Sequence, residues 1–144
     1  MHILLTNDDG IYAEGIKVLR KQLEGKGFTL SVVAPNTEKS AIGHGITVHE
    51  PIRVDKVKFR NSATPGWSVM GTPADCVKLA LEVLLESPPD IIISGINRGA
   101  NLGTDVLYSG TVSAAMEGYI SITPMHFDLT AANVLPWLAD INLK

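Results

Sequence analysis

The sequence predicts an α/β fold: a parallel sheet with helices on both faces. Three observations carry this. Short, almost wholly apolar runs recur at residues 2–6, 28–34 and 90–94, the pattern of strands buried on both faces. Amphipathic or apolar helical stretches separate them. Each run ends in a polar, glycine-containing loop, which is where ligands gather in such sheets.

The elements follow in order. His2-Ile3-Leu4-Leu5-Thr6 is a strand cut off by Asn7-Asp8-Asp9-Gly10. Residues 14–26 read as a helix: Ile16, Leu19 and Leu23 recur at helical steps, Lys17, Arg20, Lys21 and Glu24 face water, and Gly25 and Gly27 mark the end. Residues 28–34 form a second strand stopped by Pro35. Residues 46–70 alternate poorly around Pro51, Pro65 and Gly66 and read as one or two short extended pieces. Thr72-Pro73 opens a helix over about residues 73–86, with Thr as N-cap and Pro in the first position. Its charges, Asp75, Lys78, Glu82 and Glu86, form one narrow stripe, so it is covered on most sides, by the sheet and by a further element or subunit. Residues 90–94 are a third buried strand. A Gly/Asn loop leads to a short helix at residues 111–117, then a β-prone run at 119–123 ended by Pro124, and a last helix at about 133–141.

A chain of 144 residues suits one domain with its own core. A net charge of −3 and no basic run give no footprint for a nucleic acid polymer. A single cysteine, Cys76, points to a reducing compartment, and the absence of a leader pattern or a membrane-length apolar run leads to the expectation of a cytoplasmic protein with no membrane partner.

The chemistry lies in the loops. Asp8-Asp9 places two carboxylates side by side at the end of a buried strand, where a hard divalent cation would relieve their repulsion. Asn-Asp-Asp-Gly is also good turn chemistry, and on this motif alone both readings stand. Ser40 and Asn97, after the second and third strands, would add a hydroxyl and an amide oxygen to a set that suits Mg²⁺ or Mn²⁺ better than structural zinc. Each by itself reads as an ordinary polar loop residue before it reads as a ligand. Ser109-Gly110-Thr111 precedes a helix, and such a start either caps the helix or holds a phosphate. Asn101 could donate to the same anion. Neither a dinucleotide fingerprint nor a P-loop is present. Of the histidines, His2 reads as structural and His44 as a loop residue, and His126 is an acid/base candidate. Cys76 reads as an inert core thiol, Trp67 and Trp137 as packing residues.

Several of these segments together resemble the stationary-phase survival proteins, the SurE-type 5′/3′-nucleotidases. They are Leu5-Thr6-Asn7-Asp8-Asp9-Gly10-Ile11, Val33-Ala34-Pro35 with Ser40, Gly71-Thr72-Pro73-Ala74-Asp75-Cys76-Val77, Ser94-Gly95-Ile96-Asn97, Asn101-Leu102-Gly103 and Tyr108-Ser109-Gly110-Thr111-Val112. The resemblance runs nearly throughout residues 1–118. It implies a Rossmann-like sandwich, one Mg²⁺ or Mn²⁺ per subunit, and hydrolysis of nucleoside 5′- and 3′-monophosphates, with short polyphosphate as a further substrate. It also implies metal ligation by Asp8, Asp9, Ser40 and Asn97, phosphate contact at Asn101, Ser109, Gly110 and Thr111, and a general acid at His126. Asp8, Asp9 and His126 form the implied catalytic set, and a homodimer or homotetramer the implied assembly. In the family a long stretch separates the helix ending near Glu117-Gly118 from a segment like residues 118–130; here the two are fused around Tyr119. The expectation is therefore a core at residues 1–118, a strand and C-terminal segment at 119–144, and an internal deletion between. A rival reading follows from that deletion: a non-catalytic remnant acting as a metal-binding or interaction module. An aspartyl-nucleophile phosphatase is a weaker rival, because Asn-Asp-Asp-Gly stands where that chemistry displays Asp-x-Asp-x-Thr.

Overall fold

The computed structural model describes residues 1–39, 45–97, 109–117 and, for the backbone, 121–122. Strands β1 (His2–Thr6), β2 (Thr29–Pro35) and β5 (Ile91–Ser94) fall on the three apolar runs, and helix α1 (Glu14–Gly25) on the first amphipathic stretch. The ambiguous run at residues 46–70 yields two strands, β3 (Val54–Lys58) and β4 (Pro65–Val69). With β6 (Ser121–Ile122) they complete a sheet in the order β3-β4-β2-β1-β5-β6. All pairings are parallel except β3 with β4, so the sheet is parallel-dominated with one antiparallel edge strand. Pro65 and Gly66, which obscured this hairpin, have local reasons. Pro65 is the first residue of β4, where a missing amide is tolerated. Gly66 lies under the Phe59 ring, which a Cβ would approach to 2.6 Å.

Two apolar layers sandwich the sheet. Ile3, Leu5, Leu30, Val32 and Ala34 pack against Ile16, Leu19 and Leu23 of α1. Each of these helix residues, once buried, contributes about 1.5–3 kcal/mol. Arg20 is buried on the same helix, paired with Glu24 at 2.6 Å and 4.5 Å from the Phe59 ring centre. On the opposite face, Leu4, Val33, Val69 and Ile92 pack against Cys76, Val77 and Ala80 of the second helical segment and Ala114 of the third. Helix α2 (Pro73–Leu79) starts at the expected cap. The Thr72 hydroxyl accepts from the Asp75 amide at 3.1 Å, and Asp75 Oδ2 accepts from the Thr72 amide at 2.8 Å, a reciprocal capping box. Beyond Leu79 the helix does not continue as α to residue 86: Ala80–Leu84 is a π-helical turn. Helix α3 (Gly110–Met116) begins one residue before the expected start. The expected helix at residues 133–141 lies outside the described residues.

This topology creates the crevice. From β1 the chain moves outward through α1 to β2 on one face. From β5 it moves to the other edge through α3 to β6 on the opposite face. The loops leaving the carboxyl ends of β1 and β5 therefore part between neighbouring strands, at a topological switch point.

Candidate active site

The loop after β1 is shaped by Asn7. Its side chain, fully buried, donates to the Gly10 carbonyl at 3.0 Å and accepts from the Gly10 amide at 3.2 Å. Gly10 closes this turn with φ +102°, a conformation open to glycine. Asp8 and Asp9 are its two central residues. The turn reading of Asn-Asp-Asp-Gly is thus correct, and it is also the device that presents both carboxylates.

Neighbouring segments tie this turn to the other strand ends. The Ile11 amide donates to the Pro35 carbonyl at 2.8 Å, and the Lys39 amide donates to the Asp8 carbonyl at 2.8 Å. The Gly95 amide donates to the Thr6 carbonyl at 2.9 Å. The chain after β2 therefore abuts the Asp8-Asp9 turn, and the chain after β5 abuts the end of β1 that leads into it.

Asp8 is 5% exposed and points at the start of α3. Its Oδ1 accepts a 2.6 Å hydrogen bond from the Thr111 hydroxyl. Its Oδ2 has no hydrogen-bond partner among the described residues. Gly110 makes this approach close: a Cβ there would stand 2.8 Å from Asp8 Cβ and 3.0 Å from Pro73 Cγ. The Ser109 hydroxyl accepts from the Val112 amide at 3.3 Å, and the Ser113 hydroxyl donates to the Ser109 carbonyl at 2.9 Å. Ser109 is thus the helix cap, while the amides of Gly110 and Thr111, one residue from Asp8 contact, have no acceptor among the described residues. Asp9 and Asn97 are half-buried, in the loops that follow β1 and β5. Ser40, Asn101 and His126 lie outside the described residues, and so do His44 and Trp137.

The donor chemistry suits a hard divalent cation. A buried carboxylate with one oxygen unpartnered among the described residues is followed in the chain by a second carboxylate. Among the described residues no group of three or more His, Cys, Asp or Glu converges, so any ion here would need neutral oxygens as well as the two acids. Two further hydroxyls lie at the strand ends: Thr6 Oγ1 and Ser94 Oγ, register partners on β1 and β5, are buried without a hydrogen-bond partner among the described residues.

Residues outside the expected set also shape the site. Asp75 is buried, and besides its cap it accepts from the Thr47 amide at 3.0 Å and the Thr47 hydroxyl at 2.7 Å. Burial opposes its charge, but the Thr47 hydroxyl and the Thr72 and Thr47 amides outweigh that and hold its carboxyl below the usual range. The Thr-x-x-Asp spacing announced the cap; nothing local announced Thr47. Cys76 is fully buried as expected, and burial pushes its thiol well up. His2 is structural, with its ring 2.9 Å from the Ser31 hydroxyl.

Comparisons with known proteins bear on the fold and the family. The profile of the survival protein SurE family matches residues 3–125. A protein named 5′-nucleotidase SurE from Carboxydothermus hydrogenoformans is 66% identical over 125 residues, which are 86% of this chain and 47% of that protein. Its namesake from Heliobacterium modesticaldum is 65% identical over 124 residues, 86% of this chain and 45% of that protein. The crystal structure of the SurE protein from Aquifex aeolicus superposes with a TM-score of 0.74 at 38% identity, covering 98% of this chain and 58% of that one. The chain thus spans about half the length of the curated relatives it matches. With the family profile covering most of its residues, this chain belongs to the SurE survival protein family.

Proposed function

We propose that this chain is a divalent-metal-dependent phosphatase that hydrolyses nucleoside 5′- and 3′-monophosphates, with short polyphosphate as a further substrate. The observation that carries the proposal is the 2.6 Å hydrogen bond from Thr111 to Asp8. It sets the first turn of α3, with two amides that have no acceptor among the described residues, against the acidic end of β1. An anion cradle and a carboxylate pair then adjoin, as phosphoryl transfer requires. The relatives named 5′-nucleotidase SurE support the same reading.

In this reading Asp8, Asp9, Ser40 and Asn97 hold one Mg²⁺ or Mn²⁺. The ion, when bound, supplies Lewis-acid neutralisation of phosphoryl charge. The Asn7–Gly10 turn keeps the two carboxylates fixed, so no reorganisation is needed as substrate binds. The Gly110 and Thr111 amides and Asn101 hold phosphate oxygens, while Ser109 keeps the helix start in shape. Thr111 acts twice, its hydroxyl orienting Asp8 and its amide facing the anion. His126 protonates the leaving alkoxide. Residues 1–118 form the unit that carries this chemistry and 119–144 complete it. We place it in the cytoplasm, as a homo-oligomer; among the described residues no helix is long and apolar enough to cross a membrane.

One observation favours a second reading. The chain spans only about half of its relatives, and a shortened protein could keep the metal site as a binding or interaction module without turnover. Phosphate release from AMP and GMP, with and without Mn²⁺, separates the two. Metal-dependent release establishes the enzyme. Metal uptake without release establishes the module. Absence of both defeats the proposal.

A further inference from the structure

Gly15 occupies the second position of α1, where a glycine costs helix stability relative to alanine. Its surroundings account for it. A Cβ built at Gly15 would lie well inside van der Waals distance of the Ile96 carbonyl oxygen and 3.3 Å from the Ile96 carbonyl carbon. By contrast, a Cβ at Gly25, at the other end of the same helix, would meet nothing within 4 Å. The helix start therefore sits directly on the backbone of the residue preceding Asn97. The same segment is tied on its other side by the hydrogen bond from the Gly95 amide to the Thr6 carbonyl, 2.9 Å. The helix start is in turn joined to the acidic turn, since the Ala13 amide donates to the Gly10 carbonyl at 3.0 Å. A continuous backbone path runs from Asp8-Asp9 through the first turn of α1 to Ile96 and Asn97.

We propose that Gly15 is a positioning residue for the metal site: its missing side chain lets α1 seat on the Ile96 carbonyl and so sets the spacing between the Asp8-Asp9 turn and Asn97. The inference rests on the reading that Asp8, Asp9 and Asn97 share an ion. A side chain at Gly15 pushes the Gly95–Asn97 segment away from the acidic turn. The pull of the ion on Asn97 then has to be met by backbone displacement, as when an orienting group behind a ligand is removed.

The test is calorimetric titration of the full chain with Mn²⁺ alone, with unfolding of the metal-free protein followed in parallel. Wild type binds. Gly15→Ala binds roughly 10- to 100-fold more weakly, the range for outer-shell changes, while Gly25→Ala, the same chemical change on the same helix, binds as wild type. In an Asn97→Ala background Gly15→Ala causes no further loss, whereas general damage to the fold would lower affinity in both backgrounds. Wild-type affinity in folded Gly15→Ala overturns the proposal, and so does an equal additional loss in the Asn97→Ala background. If Gly15→Ala does not fold, Ala13→Pro decides: the backbone at Ala13, with φ −61°, suits proline, and the change removes the amide that joins the helix start to the Gly10 carbonyl while leaving the Ile96 contact in place. Weakened Mn²⁺ binding there supports the proposal; unchanged binding overturns it. Failure of the wild-type protein itself to take up Mn²⁺ defeats the metal reading first and this inference with it, and the wild-type titration alone reports that case.

Discussion

The hydroxyl of Thr111 donates to Oδ1 of Asp8 across 2.6 Å, joining two residues separated by 103 positions in the chain. Both are nearly fully buried. Residues assigned from sequence to two different tasks, phosphate contact and metal ligation, are therefore one unit. The threonine proton is committed to the carboxylate, so the phosphate contact proposed above falls to its amide.

Thr111→Val keeps the shape and removes the donor. Asp8 then carries a buried charge with one hydrogen bond fewer, which costs about 1.5–3 kcal/mol. Urea unfolding should register the loss, and Thr111→Ser should recover most of it. A Val variant as stable as wild type would show that this hydrogen bond carries little of the fold's stability.

Gly110→Ala tests the packing of the same corner. Alanine is favoured over glycine within a helix by about 1 kcal/mol. Here the added carbon would stand 2.8 Å from Asp8 Cβ and 3.0 Å from Pro73 Cγ, and neither neighbour is the end of a flexible chain. Overpacking of about 1–3 kcal/mol outweighs the propensity gain. The variant is expected to melt below wild type. A rise in melting temperature would mean that α3 can slide away from Asp8.

Asp9→Asn removes one of the two acids while leaving the turn formed by Asn7 and Gly10. Metal-dependent phosphate release from AMP should fall by more than the roughly 10- to 100-fold that changes behind a ligand cause. Near-normal turnover with Mn²⁺ would reject Asp9 as a ligand.

Asp75 supplies the pH dependence. Its carboxyl is held below its ordinary value: burial raises it, and donors from Thr47 and Thr72 more than offset that. The stabilisation is present in full above the unfolded-state value of about 3.9 and is lost as pH falls from there through the lower folded-state value. Asp75→Asn should flatten this acid limb of a plot of unfolding free energy against pH and lower stability near neutrality. An unchanged acid limb would show that Asp75 titrates as in the unfolded chain.

Much of the fold was legible because its signals are local. Strands β1, β2 and β5 are continuous apolar runs, and α1 shows its buried stripe as Ile16, Leu19 and Leu23. The Thr72-Pro73 helix start is written in four residues that cap one another. Strands β3 and β4 were harder, since Pro65 and Gly66 break the pattern, Pro65 by opening β4 and Gly66 by making room for the Phe59 ring across the hairpin. The π-helical turn at Ala80–Leu84 left no trace in an already apolar segment.

By itself the sequence determined the α/β class, the acidic Asp8-Asp9 turn, the helix caps and the family resemblance, because turns, caps and buried strands depend on neighbours a few residues away. Tertiary structure decided what each side chain serves. It gave the Thr111 proton to Asp8, bound Thr47 to Asp75, placed Thr6 beside Ser94 and set Gly15 on the Ile96 carbonyl. These partners lie far apart in the chain: sheet order brings the ends of β1 and β5 together for three of the pairs, and the start of α2 meets the segment before β3 for Thr47 and Asp75.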